Sequence, residues 1–174
     1  MFLNILLKTI LNGCANCTNH EDVQFIHKLL ADLTLLPQHS MHQYAQDLAK
    51  SSFALLNTEE IPGITNNAVE ILEKFPHLFN HNNLFELKLK QRLEQNLYTV
   101  QIDLLAMQEN NIQIVEIKSD IAKKLRADNI PNSYLEQLSI YKKCVESIYP
   151  NHKIACFILS FFQKKIFPIE KLNV

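Results

Sequence analysis

The spacing of apolar positions changes near residue 80. Upstream it is helical. Val23, Ile26, Leu29, Leu30 and Leu33 form one stripe, which predicts a helix over residues 22–36 stopped by Pro37. A second helix is predicted over 41–56. Ile61-Pro-Gly breaks the pattern, and a short third helix over 66–75 ends at Pro76. Downstream the period falls to two. Residues 84–89 alternate as a strand, and 98–107 with 112–118 read as a hairpin turning around Gln108-Glu109-Asn110-Asn111. After a polar stretch, Pro131-Asn-Ser133 opens a helix whose Ser133-x-x-Glu136 is a capping-box pattern. That helix runs to about Tyr149 and Pro150 closes it. Two apolar strands, 153–162 and 165–169, complete the chain. The order predicts an α/β sandwich around a mixed sheet. Residues 1–80 form its helical part and 81–174 its core, in one compact domain.

The hairpin concentrates the chemistry. Asp103 lies on its first strand, and Glu116-Ile-Lys118 on its second. Side chains alternate between faces, so Glu116 and Lys118 share one face while Val115 and Ile117 take the other. A loop centred on Glu109-Asn110 sets Asp103 opposite Glu116; a loop centred on Asn110-Asn111 sets it opposite Lys118. Either register gathers two acids and a lysine on one face of an apolar hairpin. Such a group is costly unless something uses it. A hard divalent cation is the natural user, since it takes carboxylate oxygens. Mg²⁺ held this way activates water and shields a phosphate under attack, with the lysine orienting the water. The chemistry indicated is phosphodiester hydrolysis. The plain alternative is a pair of strands ending in charges on a solvated face.

Other residues extend this group. Tyr134, Gln137 and Tyr141 share one helix face. They are either core with one polar member or a wall turned toward the hairpin. His27, within Phe25-Ile-His-Lys-Leu-Leu, lies near a buried stripe. It is a structural histidine, or a nitrogen ligand compatible with Mg²⁺ and favourable to Mn²⁺. Glu86 is a lone acid on the strand before the hairpin, solvent-facing by default. Lys123, Lys124 and Arg126 follow the Glu-x-Lys directly, where phosphates would approach.

Composition narrows the classes. Net charge is −1, so nucleic-acid binding must come from a local patch, a metal or a partner. With only 2 glycines, a Walker A loop and a G-x-G-x-x-G fingerprint are excluded. Cys14 and Cys17 have metal spacing, but Cys144 and Cys156 are scattered, so ordinary reduced thiols are expected. The apolar residues 1–11 are interrupted by Lys8 and predict an amphipathic helix. No run is long enough for a membrane span, and a cytoplasmic protein with no membrane partner is expected.

Taken in order, His27, Asp103, Glu116-Ile-Lys118 and Gln137-Leu-Ser-Ile-Tyr141 resemble the RecB-like branch of the PD-(D/E)xK nuclease superfamily. Phe25-Ile-His-Lys-Leu-Leu-Ala-Asp-Leu, Leu78-Phe-Asn and Ile130-Pro-Asn-Ser-Tyr-Leu-Glu-Gln-Leu-Ser-Ile-Tyr look most like the C-terminal nuclease domain of AddA helicase-nucleases. The resemblance covers roughly residues 20 to 170. It implies a restriction-endonuclease-like core and a DNA exonuclease of repair and recombination. By the resemblance, His27, Asp103, Glu116 and the Ile117 carbonyl hold Mg²⁺, for which Mn²⁺ substitutes. Lys118 serves the attacking water, Gln137 and Tyr141 support the site or the DNA, and Glu86 matches a family acid. DNA is the implied partner, with a separate helicase or repair subunit in place of the motor these 174 residues lack. The family's glycine before the Asp segment and arginine after the Asp are Val100 and Leu104 here, and an Arg-Gly near the His motif is Asp22-Val23. Some relatives bind an iron–sulfur cluster through one early and three late cysteines; this spacing does not match, so no cluster is expected. The leading expectation is a Mg²⁺-dependent deoxyribonuclease. Its rivals are a catalytically inactive module that binds DNA or a protein, and a ribonuclease or other phosphodiesterase.

Overall fold

The computed structural model describes residues 20–51, 61–119 and 125–172. Three helices come first: α1 (His20–Leu33), α2 (Gln38–Ser51) and α3 (Ile61–Lys74). Strands β1 (Leu84–Leu93), β2 (Asn96–Gln108) and β3 (Asn111–Lys118) follow. Helix α4 (Asn132–Ile148) then leads to β4 (Lys153–Ser160) and β5 (Lys165–Ile169). The five strands lie in sequence order. All neighbours are antiparallel except β3 and β4, which run parallel on either side of α4. This is an α/β architecture with a mixed central sheet and helices on both faces.

Each face has its own core. Ile26, Leu29, Leu30 and Leu33 of α1 are all but inaccessible, and they pack with Ile64, Ala68, Ile71 and Leu72 of α3 against Leu104, Val115, Ile117 and Leu159. Burying the four α1 side chains contributes on the order of 6–12 kcal/mol before entropy is subtracted, far more than helix propensity could. On the other face, Leu138, Tyr141, Cys144 and Val145 of α4 cover Ile102, Leu105, Ile112, Ile114 and Ile158.

Helix boundaries depart from the sequence pattern in two places. Ile61-Pro-Gly does not break a helix but starts one: α3 begins at Ile61, and Pro62 falls in the first turn, where its missing N–H is not needed. The capping box at Ser133 does not form. Helix α4 begins one residue earlier, and Pro131 is its cap without a side-chain bond. The Pro131 carbonyl instead accepts from the amides of Tyr134 and Leu135. Helix α2 starts at Gln38, and residues 52–56 of its predicted span lie outside the described residues, as do residues 1–11, Cys14, Cys17, Lys123 and Lys124.

The turns are built without glycine. Glu94, Glu109 and Lys164 have left-handed φ values of 54°, 48° and 50° in the turns after β1, β2 and β4. Glu109 opens the two-residue loop between Gln108 and Asn111, a position where glycine is usual. A left-handed conformation costs an ordinary residue about 1–2 kcal/mol. Replacing Glu109 by Gly is therefore expected to stabilise the fold by about 0.5–1 kcal/mol, after the larger unfolded-state entropy of glycine is allowed for. A urea titration reads this directly; an unchanged or lower midpoint would mean that the Glu109 side chain itself holds the turn.

Candidate active site

The site forms where the regular alternation of the sheet is interrupted. Along β2, Val100 and Ile102 face α4, as do Leu105 and Met107, whereas Leu104 and Ala106 face α1–α3. The alternation therefore slips by one position across Asp103. On β1, Phe85 faces the helical layer and Leu87 faces α4, so the same slip occurs at Glu86. These two residues lie across from each other, between the pairs Phe85↔Leu104 and Leu87↔Ile102. Glu86 accomplishes the rotation with a φ of 51° inside a strand. That strain is of the kind found where backbone re-aims a functional side chain.

Beyond this point β2 and β3 part. Their pairing begins at Gln108↔Asn111 and ends at Leu104↔Val115, while Glu116, Ile117 and Lys118 continue beside β4. The loop is thus Glu109-Asn110, the register that directs Asp103 toward Glu116. At the fork Asp103 Oδ2 accepts the Ile117 amide at 2.7 Å, taking the place of a ladder bond.

Two groups of side chains meet here. In the first, His27 Nδ1 of α1 donates to Glu86 Oε1 at 2.7 Å and lies 3.6 Å from Asp103 Oδ1. Gln101 donates to the other Glu86 oxygen. Ligand atoms of His27, Glu86 and Asp103 all fall within 4.8 Å of one another, as a metal cluster requires. In the second, Lys118 Nζ donates to Glu116 Oε1 at 2.6 Å and to Gln137 Oε1 at 3.3 Å. Gln137 Nε2 donates to the same Glu116 oxygen at 2.8 Å and to the Tyr141 hydroxyl at 2.6 Å. The Tyr134 ring lies under the Lys118 ammonium, 4.3 Å from its centroid, a cation–π contact.

Electrostatics follow from burial. Asp103 is 8% exposed and Glu116 3%. Desolvation, with Glu116 next in effect, pushes the Asp103 carboxyl up to about 7. Burial opposes the His27 imidazolium, but Asp103 and then Glu86 outweigh it, so its pKa is raised. The His27 hydrogen bond holds the Glu86 carboxyl below its ordinary value, with a smaller contribution from Lys88. Burial likewise opposes the Lys118 charge, yet Glu116 more than compensates and keeps the ammonium protonated. The Tyr141 phenol is raised, first by burial and then by Glu116, so it remains a neutral group.

Acceptors outnumber donors in this site. Glu116 Oε2 and His27 Nε2 are buried without a hydrogen-bond partner among the described residues, and Asp103 can keep its charge only against desolvation and the repulsion of Glu116. A cation beside these carboxylates would satisfy the free Glu116 oxygen and offset the repulsion on Asp103, and the oxygen-rich donor set suits Mg²⁺ or Mn²⁺.

The geometry brings together His27, Asp103, Glu116, Lys118, Gln137 and Tyr141. It differs from the sequence expectation in two respects. Glu86 is not a solvated acid but sits nearer to His27 than any other carboxylate of the cluster, at the price of backbone strain that no periodicity reveals. Ile117 meets the cluster through its amide. Arg126 lies on the surface, paired with Asp128 at 2.9 Å. Gln101 and the Tyr134–Lys118 contact were not anticipated. The spacing in the sequence puts Tyr134 on the face of Gln137 and Tyr141, but not its ring beneath the Lys118 ammonium.

No protein-family profile matches this chain, and no curated protein does. Among solved structures, it is similar to a protein of Eubacterium rectale provisionally assigned as an exonuclease, with a TM-score of 0.44 and 13% identity over 80% of this chain and 59% of that one. It is also similar to VC1899 of Vibrio cholerae, with a TM-score of 0.34, 11% identity and coverage of 82% and 48%. A third, SSO0001, has a TM-score of 0.37, 14% identity and coverage of 97% and 76%. The chain spans about half to three-fifths of the length of the first two. At these scores none of the three carries an inference about this chain, and the narrower likeness to AddA rests on the sequence stretches alone.

The raised pKa values make a signed prediction. A carboxyl with a higher pKa folded than unfolded contributes stability below its unfolded value near 4, which is lost as pH climbs through about 7. His27, raised from 6.5, loses its contribution in the same direction. Asp103→Asn keeps an acceptor for Ile117 but has no charge to bury. In chelator, it is expected to exceed the native chain in stability above pH 7 by on the order of 2–4 kcal/mol, with the difference shrinking steadily below pH 7 and vanishing only below about pH 4. Thermal unfolding from pH 4.5 to 8.5 tests this, and parallel curves for the two proteins would refute it.

Proposed function

We propose that this chain is a metal-dependent nuclease that hydrolyses DNA phosphodiester bonds. The observation that carries the reading is the meeting, at one fork in the sheet, of the His27–Glu86–Asp103 cluster with the buried Glu116–Lys118–Gln137–Tyr141 network. A purely structural role gives little reason for such a set, since each buried charge costs several kcal/mol unless paired.

In this reading His27, Glu86 and Asp103 hold Mg²⁺, or Mn²⁺ in its place, with the free Glu116 oxygen beside them; the Ile117 carbonyl joins the set on the strength of the family resemblance alone. When bound, the ion supplies Lewis-acid shielding of the phosphate and a water of lowered pKa. His27 must release its Nδ1 proton to serve as a ligand, and Asp103 must ionise, so affinity rises with pH through about 7. Lys118 stays protonated and orients the attacking water while stabilising negative charge on the phosphate. Gln137 bridges Glu116 and Tyr141 and so fixes the carboxylate against which Lys118 is held. Tyr134 positions the ammonium from beneath.

The preference for DNA, exonucleolytic action and a setting in break repair beside a separate helicase are further parts of the proposal. They are supported by the RecB-like motif order and the AddA-like stretches, not by the site chemistry. That chemistry serves RNA equally well.

The test is cleavage of linear single- and double-stranded DNA and of RNA, with Mg²⁺, Mn²⁺ or chelator. Activity is expected with either metal and none with chelator. Asp103→Ala and Lys118→Ala are each expected to lose about 10²–10³-fold or more. Full activity in either variant would sink the assignment. Failure of the native chain with every metal and substrate would leave the non-catalytic binding module as the better reading.

A further inference from the structure

Past Glu86 and Asp103, the β1–β2 ribbon runs on without β3 beside it. Its apolar side, with Leu87, Leu89, Leu93 and Val100, packs toward α4. The other side belongs to the face that α1–α3 cover farther along the sheet, but here no described residue covers it. Lys88, Lys90 and Arg92 alternate along it, all exposed. Opposite them on β2 stand Gln101, Thr99 and Leu97, also exposed. Among the described residues no ion pair involves any of the three cations. No acid occurs between Glu86 and Glu94, nor between Glu94 and Asp103. In a chain of net charge −1, three cations in one row, with acids only at its two ends (Glu86 and Glu94), form a positive local field.

The row also points somewhere. Its first member, Lys88, is close enough to Glu86 to favour that carboxylate, and Gln101, its cross-strand neighbour, bonds Glu86 directly. Alternate residues on a strand recur every 6.6 Å or so, so Lys88 to Arg92 span about 13 Å in a straight line. That repeat suits successive phosphates of an extended strand. The tyrosine of this segment, Tyr98, packs on the other side, so the open face has cations and hydrogen-bonding side chains but no ring on which bases could stack. It is a surface for a phosphate backbone, not for reading sequence.

We propose that Lys88, Lys90 and Arg92, on the open face of the β1–β2 ribbon, form a phosphate track that leads a polynucleotide backbone to the His27–Glu86–Asp103 cluster. The inference rests on the nuclease reading above, and the two can fail separately.

The experiment measures binding of fluorescently labelled single-stranded and duplex DNA by anisotropy, in chelator, over a range of salt. It compares the native chain with Lys88→Gln/Lys90→Gln/Arg92→Gln. A control with the same charge change neutralises exposed lysines elsewhere, Lys143→Gln/Lys153→Gln/Lys171→Gln. The track variant is expected to bind at least tenfold more weakly than the control at low salt. The slope of log K against log salt should fall by about 2 on single strands, or nearly 3 on duplex. A fall in either arm supports the track and identifies the strand form it takes. Equal affinity and slope for track variant and control, in both arms, overturn it. Alongside, metal-dependent hydrolysis of thymidine 5′-(4-nitrophenyl phosphate), too small to reach the track, is expected to be the same in the native protein and in Lys90→Gln/Arg92→Gln, which leaves the Lys88 charge beside Glu86 in place. A native chain that leaves this ester intact yet binds DNA through the track would overturn the nuclease reading while supporting the track. Ester hydrolysis without any track-dependent binding would do the reverse.

Discussion

The separation of β2 from β3 at Asp103 is the constraint on which the rest of the structure depends. A strand in a continuous antiparallel sheet sends every second side chain to the same face. This ribbon does not, because α4 packs on both of its halves while α1–α3 cover only the half from Leu104 onward. From Leu104 onward it must present Leu104 and Ala106 to α1–α3; before Ile102 it must present Val100 and Ile102 to α4. The slip at Glu86 and Asp103 reconciles the two demands. It leaves one ladder position vacant, which the Asp103 carboxylate fills through the Ile117 amide. An acid is thereby fixed in a nearly dry place, with its remaining oxygen turned toward His27.

Everything near the fork adjusts to that acid. Helix α1 delivers a histidine to it, and that histidine exists in a raised-pKa state because two carboxylates face it. Helix α4 delivers Gln137, Tyr141 and Tyr134 on one face, and these hold the second acid and its lysine. A buried Glu–Lys pair alone is weak evidence of stability, since desolvation can exceed the attraction. Here the Gln137 amide links the partners and satisfies part of each, and the tyrosine ring accepts the ammonium face that no oxygen reaches. The arrangement holds a charged lysine in one orientation beside an unfilled carboxylate oxygen. Such preorganisation is useful to a reaction that builds negative charge and superfluous to a core.

The periodicity made most of this architecture legible. The change from a helical period to alternation located the sheet, and the α4 spacing put Gln137 and Tyr141 on one face. The residues that define the chemistry also stood out, since charges inside apolar strands violate the local pattern. What could not be read depends on three-dimensional choices. Two hairpin registers were equally compatible with the polar turn, and only the left-handed Glu109 selects one. Glu86 looked like a solvated acid because alternation assumes a regular strand, and its strained backbone is where that assumption fails. Pro62 reads as a breaker in the sequence because a proline stops a helix at every position except the first turn, where it lies.

The near-neutral composition illustrates a related limit. A net charge of −1 argues against a protein covered in positive potential, but the sum conceals how charges are distributed. Here the acids Glu86, Asp103 and Glu116 are drawn inward to the fork, where burial and the neighbouring His27 and Lys118 mute their outward field. Lys88, Lys90 and Arg92 stay on the surface without partners among the described residues. Exposed charges separated by more than a Debye length of about 8–10 Å scarcely feel one another, so only acids close to the row, such as Glu86 and Glu94 at its ends, offset it appreciably. A polyanion approaching the open ribbon meets the local field, not the total. The same slip that aims Asp103 inward also leaves this ribbon uncovered, so the cluster and its positive approach share one structural cause.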